Sequence, residues 1–373
     1  MTPARKGWYD MGDYGQRRRD LMSRIENAAY FAFNLEGSDA ASLRYLTGFT
    51  GEGALLLTDS DALLLTDSRY TEQARQETEN LRIEEGRAWY LKGAAEAFGH
   101  AGAQRIVFPS SRIAHYWVEE ISKLGDFELA PERDPLIELR SIKSPSEIQA
   151  LKGAAHIADR ALETLLPTLR IGMDEVEIAL ELEMLIRKSD AEGLAFDVNV
   201  STGPNTALNH YNPTHGRRPI ASGDLLLFDF GACVRGYRSD MTRTFSVGQA
   251  TAKAKEIYEI VLRANKAAIA ATKSGMTGIA VDAVARDLIG EAGYGDHFGH
   301  GLGHGIGLEV HEAPGLSPSS QFTLKEGMAV TIEPGVYVTG FGGVRIEDDV
   351  IVTKDGCEII TAFPKDELIE VGI

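Results

Sequence analysis

Short apolar runs alternate with helical patterns over the first third of the chain. Runs at 30–33, 54–57, 63–65 and 105–108 read as strands, with a polar turn at 58–61 and a helix from about residue 71. Strands bracketing helices predict a small α/β domain. The stretch 139–147 interrupts the pattern: it is polar, contains Pro145, and ends in Ser144-x-x-Glu147, the reciprocal arrangement that opens a helix. The domain boundary is placed there, giving an N-terminal domain over 1–140 and a second domain over 141–373.

The second domain reads as an internal repeat with a period near 104 residues. Ser222-Gly223-Asp224-Leu225-Leu226-Leu227-Phe228-Asp229-Phe230-Gly231 lines up with Glu326-Gly327-Met328-Ala329-Val330-Thr331-Ile332-Glu333-Pro334-Gly335, which places Asp229 on Glu333. Upstream, Gly172-Met173 matches Gly275-Met276. Downstream, Arg238-Ser239-Asp240 matches Arg345-Ile346-Glu347 if the second hairpin is three residues longer. Each half is then helix, loop, helix and hairpin, with two acids per hairpin at equivalent places.

Turn chemistry sets the register of both hairpins. A two-residue turn at Arg235-Gly236 pairs Val234 with Tyr237 and Asp229 with Thr242, and side-chain alternation puts Asp240 on the face of Asp229. Pairing Val338 with Gly342 puts Glu333 opposite Glu347. Both Asp229 and Glu333 follow strands of core composition, where an unpaired carboxylate is costly, so pairing or a bound cation is expected. Arg345 shares a strand face with Glu347 and is expected to orient that carboxylate.

A third element spans residues 299–312, Gly-His-Gly-Leu-Gly-His-Gly-Ile-Gly-Leu-Glu-Val-His-Glu. Five glycines in nine residues disfavour a helix by about 1 kcal/mol each, so an irregular or extended segment is expected. It holds no dinucleotide fingerprint. His300, His304 and His311 fall within twelve residues of a chain that has nine histidines, a clustering that points to metal binding or catalysis. Four carboxylates and an imidazole make a hard, mainly oxygen donor set suited to two divalent ions such as manganese, cobalt or zinc.

Composition bounds the rest. A chain of 373 residues is long for one domain, and 38 basic against 55 acidic residues give a net charge of −17, which opposes nucleic-acid binding. The hydrophobic content of 43% is that of a globular chain. The first residues lack the apolar stretch of a secretory signal and no run reaches membrane-spanning length, so a cytoplasmic protein without membrane partners is expected. Cys233 and Cys357 have no motif partner, and neither a disulfide nor a thiolate zinc site is expected. Arg17, Arg18 and Arg19 read as a solvated helix face, and Trp8, Tyr9 and Tyr14 as part of a disordered terminus.

Five segments together carry a resemblance: Phe228-Asp229-Phe230-Gly231, Ser239-Asp240-Met241-Thr242-Arg243-Thr244, the run from Gly301 to Glu312, Thr331-Ile332-Glu333-Pro334-Gly335 and Val344-Arg345-Ile346-Glu347-Asp348. They resemble the M24 metallopeptidases of the creatinase or "pita-bread" fold, and most closely the Xaa-Pro peptidases, aminopeptidase P and prolidase. Arg44-Tyr45-Leu46-Thr47-Gly48-Phe49-Thr50-Gly51 and Leu65-Thr66-Asp67-Ser68-Arg69-Tyr70 are similar to that family's N-terminal domain, so the likeness spans nearly the whole chain.

The resemblance implies a mixed α/β protein, a small α/β domain followed by a pita-bread catalytic domain with pseudo-twofold duplication. It implies Asp229, Asp240, His304, Glu333 and Glu347 as ligands of two divalent metal ions, manganese first, with Asp240 and Glu347 bridging. His311 would contact the scissile carbonyl or stabilise the tetrahedral intermediate, His210 would contact substrate, His300 would help line a proline pocket, and Glu333 would handle the water proton. The implied reaction is attack by a metal-bridging hydroxide on the carbonyl preceding proline, in peptides with proline second, by a homodimeric enzyme. The N-terminal motifs tilt the reading toward aminopeptidase P, with prolidase as the alternative. A methionine aminopeptidase would not need the first 140 residues. Creatinase-type hydrolases and non-catalytic peptide-binding relatives lose ligands that are all present here.

Overall fold

A computed structural model describes residues 13–25, 27–86, 90–100, 102–123 and 125–372. Contacts divide the chain into two compact units, Met1–Arg140 and Ser141–Ile373. Trp8 and Tyr9 lie outside the described residues.

In the first unit, helices α1 (Tyr14–Met22), α2 (Ala40–Thr47), α3 (Thr71–Glu77), α4 (Tyr90–His100), α5 (His115–Ser122) and α6 (Ile137–Ser141, whose last residue falls in the second unit) accompany strands β1 (Ala29–Asn34), β2 (Gly53–Leu57), β3 (Ala62–Thr66), β4 (Arg82–Glu85), β5 (Arg105–Pro109) and β6 (Glu128–Glu132). The strands form one mixed sheet in the order β4-β3-β2-β1-β5-β6, antiparallel through β1, β2 and β3 and parallel outside them. The turn joining β2 to β3 closes where Thr58 N–H donates to the Asp61 carbonyl at 2.9 Å. Phe31, Phe33, Phe98 and Phe127 build an aromatic core of mostly edge-to-face contacts.

The arginine triplet overturns its expected solvation. Arg17 and Arg18 are buried on α1, and their guanidiniums donate to the carbonyls of Tyr45, Leu46 and Asn80, each at 3.0 Å. Only Arg19 is on the solvated face. Nearby backbone carbonyls can take the place of water for a planar five-donor group. Tyr14 is placed too, as the first residue of α1, with its ring 5.4 Å from the Arg17 guanidinium carbon.

The second unit opens with α7 (Pro145–Leu165), where Ser144 accepts from Glu147 N–H and the Glu147 side chain accepts from Ser144 N–H at 2.6 Å. The polar stretch before it is not a solvated linker. Ser141, Lys143 and Glu147 are buried, and Lys143 Nζ meets Glu312 Oε2 at 3.1 Å. Helix α8 (Glu175–Lys188) follows, then β7 (Gly193–Leu194), β8 (Asn199–Thr202), β9 (Leu225–Phe230), β10 (Ala232–Val234), β11 (Tyr237–Arg238) and β12 (Met241–Val247). The chain then runs through α9 (Ala252–Ala271), α10 (Gly278–Glu291), β13 (Gly303–Gly305), β14 (Glu312–Leu316), β15 (Ala329–Ile332), β16 (Gly335–Val338), β17 (Gly342–Arg345), β18 (Asp348–Val352), β19 (Cys357–Ile359) and β20 (Glu370–Val371).

The duplication is visible bond by bond. Strands order as β20-β12-β9-β8 in one sheet and β14-β13-β15-β18-β19 in another, so β8-β9-β12 corresponds to β13-β15-β18. Gly172 N–H donates to Ile220 and Gly275 N–H to Leu324, while Gly223 N–H donates to Val247 and Gly327 N–H to Val352. All four glycines have φ between 86° and 92°, a left-handed turn that excludes most side chains. These bonds also correct the repeat. Val247 corresponds to Val352, which makes Glu347 the counterpart of Thr242 and Arg345 the counterpart of Asp240. Acid falls on acid at Asp229 and Glu333 only. Cys233 and Cys357 are not joined in a disulfide.

Candidate metal centre

The first pair of acids comes from the β9–β12 hairpin. Arg235 (φ 52°) and Gly236 (φ 82°) turn the chain in two residues, and the ladder runs in register from Val234–Tyr237 through Asp229–Thr242. Asp240 sits just ahead of β12, where its N–H donates to Asp349 Oδ2 at 2.9 Å. The second pair lies between two ladders of one common register: Ile332 pairs with Asp348 on one side and Gly335 with Arg345 on the other. Glu333 therefore opposes Glu347 at a gap in the ladder, next to Pro334, which has no N–H to give.

His304 arrives on β13 between two glycines that its approach requires. A Cβ on Gly303 would lie 2.1 Å from the Thr331 carbonyl oxygen, and one on Gly305 would lie 2.3 Å from that of Ala313. The close backbone contact lets His304 N–H donate to Thr331 Oγ1 at 3.1 Å. Its Nε2 stands 3.4 Å from Glu333 Oε1 and 3.7 Å from Asp240 Oδ2. Asp240, His304 and Glu347 each offer one ligand atom, all within 4.8 Å of one another.

Every site residue named from the sequence lines one cavity of about 590 Å³: Asp229, Asp240, His304, Glu333, Glu347, His210, His300, His311 and Arg345. Burial governs their protonation. It pushes Asp240 and Glu347 well above the usual carboxylate range, with neighbouring acids adding to the effect, and raises Glu333 to about 8. Burial also lowers His304 and His300 to about 4, with the neighbouring His311 acting on His304 and Arg345 on His300, which keeps both imidazoles neutral. Crowded acids and a neutral imidazole lack only positive charge, and divalent metal fits this donor set. Asp349 Oδ1, buried behind Asp240, has no hydrogen-bond partner, in keeping with a charge balance that protein groups alone do not complete.

Arg345 differs from its expected role. Its Nη2 donates to Asp229 Oδ2 at 2.6 Å, its Nε to Thr242 Oγ1 at 2.8 Å and its Nη1 to the Tyr337 hydroxyl at 3.0 Å. It hydrogen-bonds Asp229 directly, whereas its hydrogen-bonded link to Glu347 runs through Thr242, whose hydroxyl donates to Glu347 Oε2 at 2.6 Å. The guanidinium opposes the upward push of burial on Asp229. Tyr337 was not singled out from the sequence, yet its hydroxyl also meets His300 Nε2 at 2.9 Å. A signal was present: with Gly335 paired to Arg345, Tyr337 is Arg345's diagonal neighbour on one face. Gly301 and Gly303 of the glycine-rich run also line the cavity, and Phe196, Asp197, Asn209 and Val310 complete it without a readable sequence signature.

Residues 149–354 match metallopeptidase family M24, and residues 16–142 match the creatinase/prolidase N-terminal domain. The chain belongs to metallopeptidase family M24. This M24 peptidase is 42% identical over 330 residues to an uncharacterized peptidase of Bacillus subtilis, covering 88% of this chain and 93% of that protein. It is 38% identical to a Pyrococcus horikoshii Xaa-Pro dipeptidase over 83% of this chain and 86% of that one. Among solved structures, an Xaa-Pro dipeptidase from Bacillus anthracis aligns with TM-score 0.90 and 40% identity over 96% of this chain and 100% of that one. An X-Pro aminopeptidase from Thermotoga maritima aligns with TM-score 0.88 and 38% identity over 95% and 99%. The M24 peptidase has the pita-bread architecture of these neighbours, and among its described residues no helix is long and apolar enough to cross a membrane.

Proposed function

We propose that this M24 peptidase is an Xaa-Pro dipeptidase, cleaving dipeptides before a C-terminal proline. The aminopeptidase P reading drawn from the N-terminal motifs is the weaker of the two, because the Pyrococcus and Bacillus anthracis relatives carry the dipeptidase name. The observation that carries the chemistry is the convergence of four carboxylates and a neutral imidazole in the lining of one cavity, which three further histidines share.

In this reading Asp229, Asp240, His304, Glu333 and Glu347 would hold two divalent ions, manganese foremost. Bound there, the ions would supply Lewis-acid polarisation of the scissile carbonyl and an activated water. The chain's own groups do the rest. Glu333 accepts the proton released as the carbonyl is attacked and returns it to the departing proline nitrogen. His311 donates to the developing oxyanion, and His210 holds the substrate at the cavity rim. His300, fixed by Tyr337, lines the space for the proline ring. Proline restricts the residue before it and has no N–H to offer, so a shaped pocket must stand in for the contacts an ordinary peptide would make.

Rates measured side by side on an Xaa-Pro dipeptide and the matching Xaa-Pro-Yaa tripeptide test the reading. The dipeptide is expected to turn over faster, and only with divalent metal present. Faster release of the first residue from the tripeptide would restore the aminopeptidase reading, and the absence of both activities from metal-loaded protein would defeat each.

A further inference from the structure

His210 reaches the cavity from a segment with little regular structure of its own. Between β8 and β9 the chain makes only short 3-10 turns, over Gly203–Ala207 and Pro213–His215, yet it carries Asn209 and His210 into the cavity lining. One carboxylate ties several points of this segment together, beside separate bonds from Gly343 N–H to Thr206 Oγ1 at 2.7 Å and from Arg218 to Asp224. Glu175, the first residue of α8, is completely buried. Its Oε1 accepts from Thr202 N–H at 2.8 Å and Asn205 Nδ2 at 3.0 Å, and its Oε2 accepts from the Tyr211 hydroxyl at 2.6 Å and Arg218 N–H at 3.0 Å. The two ends and the middle of the segment are thus tied to a single core residue.

The middle tie bears on the site. Asn205 Nδ2 also donates to the Tyr211 oxygen at 2.9 Å, and a Cβ on Gly216 would lie 2.2 Å from that oxygen, so the hydroxyl is boxed in. The second half of the duplicated unit has no such anchor, because α10 begins at Gly278 where α8 begins at Glu175. The equivalent loop of the second half, between β13 and β15, carries His311 into the same cavity without such a clamp.

We infer that Tyr211, held by Glu175, is the positioning residue for His210: the hydroxyl–carboxylate bond fixes the neighbouring residue in the chain and thereby the imidazole at the cavity rim. The inference rests on the proposed Xaa-Pro hydrolysis. Tyr211→Phe removes the bond and keeps the ring. It is expected to lower kcat/KM about tenfold, as a slackened substrate contact does, and to leave activity unchanged when added to His210→Ala. Retained wild-type kcat/KM in Tyr211→Phe, or a full further loss in the double variant, would overturn it. Amide hydrogen exchange of the metal-loaded proteins gives a readout free of turnover. Faster exchange across 205–218 in Tyr211→Phe is expected, and identical exchange would overturn the inference even if wild-type protein hydrolysed neither peptide, an outcome that would separately defeat the proposed function.

Discussion

The two halves of the duplicated unit share a scaffold and differ at the positions that carry chemistry. Equivalent glycines, equivalent cross-strand bonds and equivalent hairpins place Asp229 and Glu333 at matching points. Beyond that pair the symmetry fails in a consistent way. Where the second half has Glu347 the first has Thr242, and where the second has Arg345 the first has Asp240. The β8–β9 and β13–β15 ladders likewise make Ser201 the counterpart of His304. A strict duplicate would bring two copies of one acid pattern together and repel itself. Here each half fills what the other lacks: the cation of Arg345 answers Asp229, and the hydroxyl of Thr242 answers Glu347.

The sharpest way to break this complementarity is to remove an acid that has no acidic counterpart. Asp240→Ala is expected to cut turnover by roughly 10³-fold or more, since a proposed ligand is lost, and to lower the metal content measured on purified protein. The fold should survive, because a buried acid repelled by Glu347 is being deleted. Retained activity would remove Asp240 from the proposed ligand set. Next in size is Arg345→Met, which leaves Asp229 without its cation. A loss of about 10²-fold in kcat/KM is expected. Because Arg345 holds Asp229 down, the acidic limb of the pH–rate profile should move to higher pH, and an unmoved limb would mean that Arg345 acts by shape alone.

Much of this site was legible because hairpin register follows from local chemistry. Arg235-Gly236 admits a two-residue turn, and side-chain alternation then carries Asp229 to Thr242 without further information. Glu333 opposite Glu347 followed in the same way, across a gap in the ladder that the sequence does not announce. Long-range partners were not legible. Nothing near Arg17 or Arg18 reveals that the carbonyls of Tyr45, Leu46 and Asn80 receive them, and Lys143 finds Glu312 169 residues away. The misplaced match of Asp240 to Glu347 has another source. A repeat aligned by residue type favours acid on acid, whereas the ladder counts backbone bonds, and the two disagree by two residues.

A third prediction concerns the crowded acids together. Asp240, Glu347 and Glu333 have folded-state pKa values above those of an unfolded chain, so folded, metal-free protein binds more protons than unfolded protein does. Their contribution to stability is full below the ordinary carboxylate range and is lost as pH rises toward about 8, the value for Glu333. The melting temperature of metal-stripped protein is therefore expected to fall between about pH 5 and 8. Bound divalent ions cancel the repulsion, so added metal should raise the melting temperature more at pH 8 than at pH 6, by several degrees. Equal increments at both values, in scans at constant ionic strength, would show that the acids carry no excess protons.

The smallest expected effect probes the finest point of the comparison, the hydroxyl that faces Glu347 from the other half. Thr242 Oγ1 accepts from Arg345 Nε and donates to Glu347 Oε2, so one atom links the cation of one acid to the carboxylate of another. Thr242→Val keeps the shape and removes both bonds. The buried Glu347 oxygen then loses a donor, and Arg345 is left with Asp229 and Tyr337. A loss of about tenfold in kcat/KM is expected, the low end of what outer partners of a metal site contribute. Thr242→Ser should restore it, because the hydroxyl is what matters and β-branching is not. If Thr242→Val is as fast as wild type while Thr242→Ser is slow, the methyl group's packing in the β9–β12 ladder is the operative feature, and the two halves are coupled by shape, with no part for the hydrogen-bonded chain through Arg345.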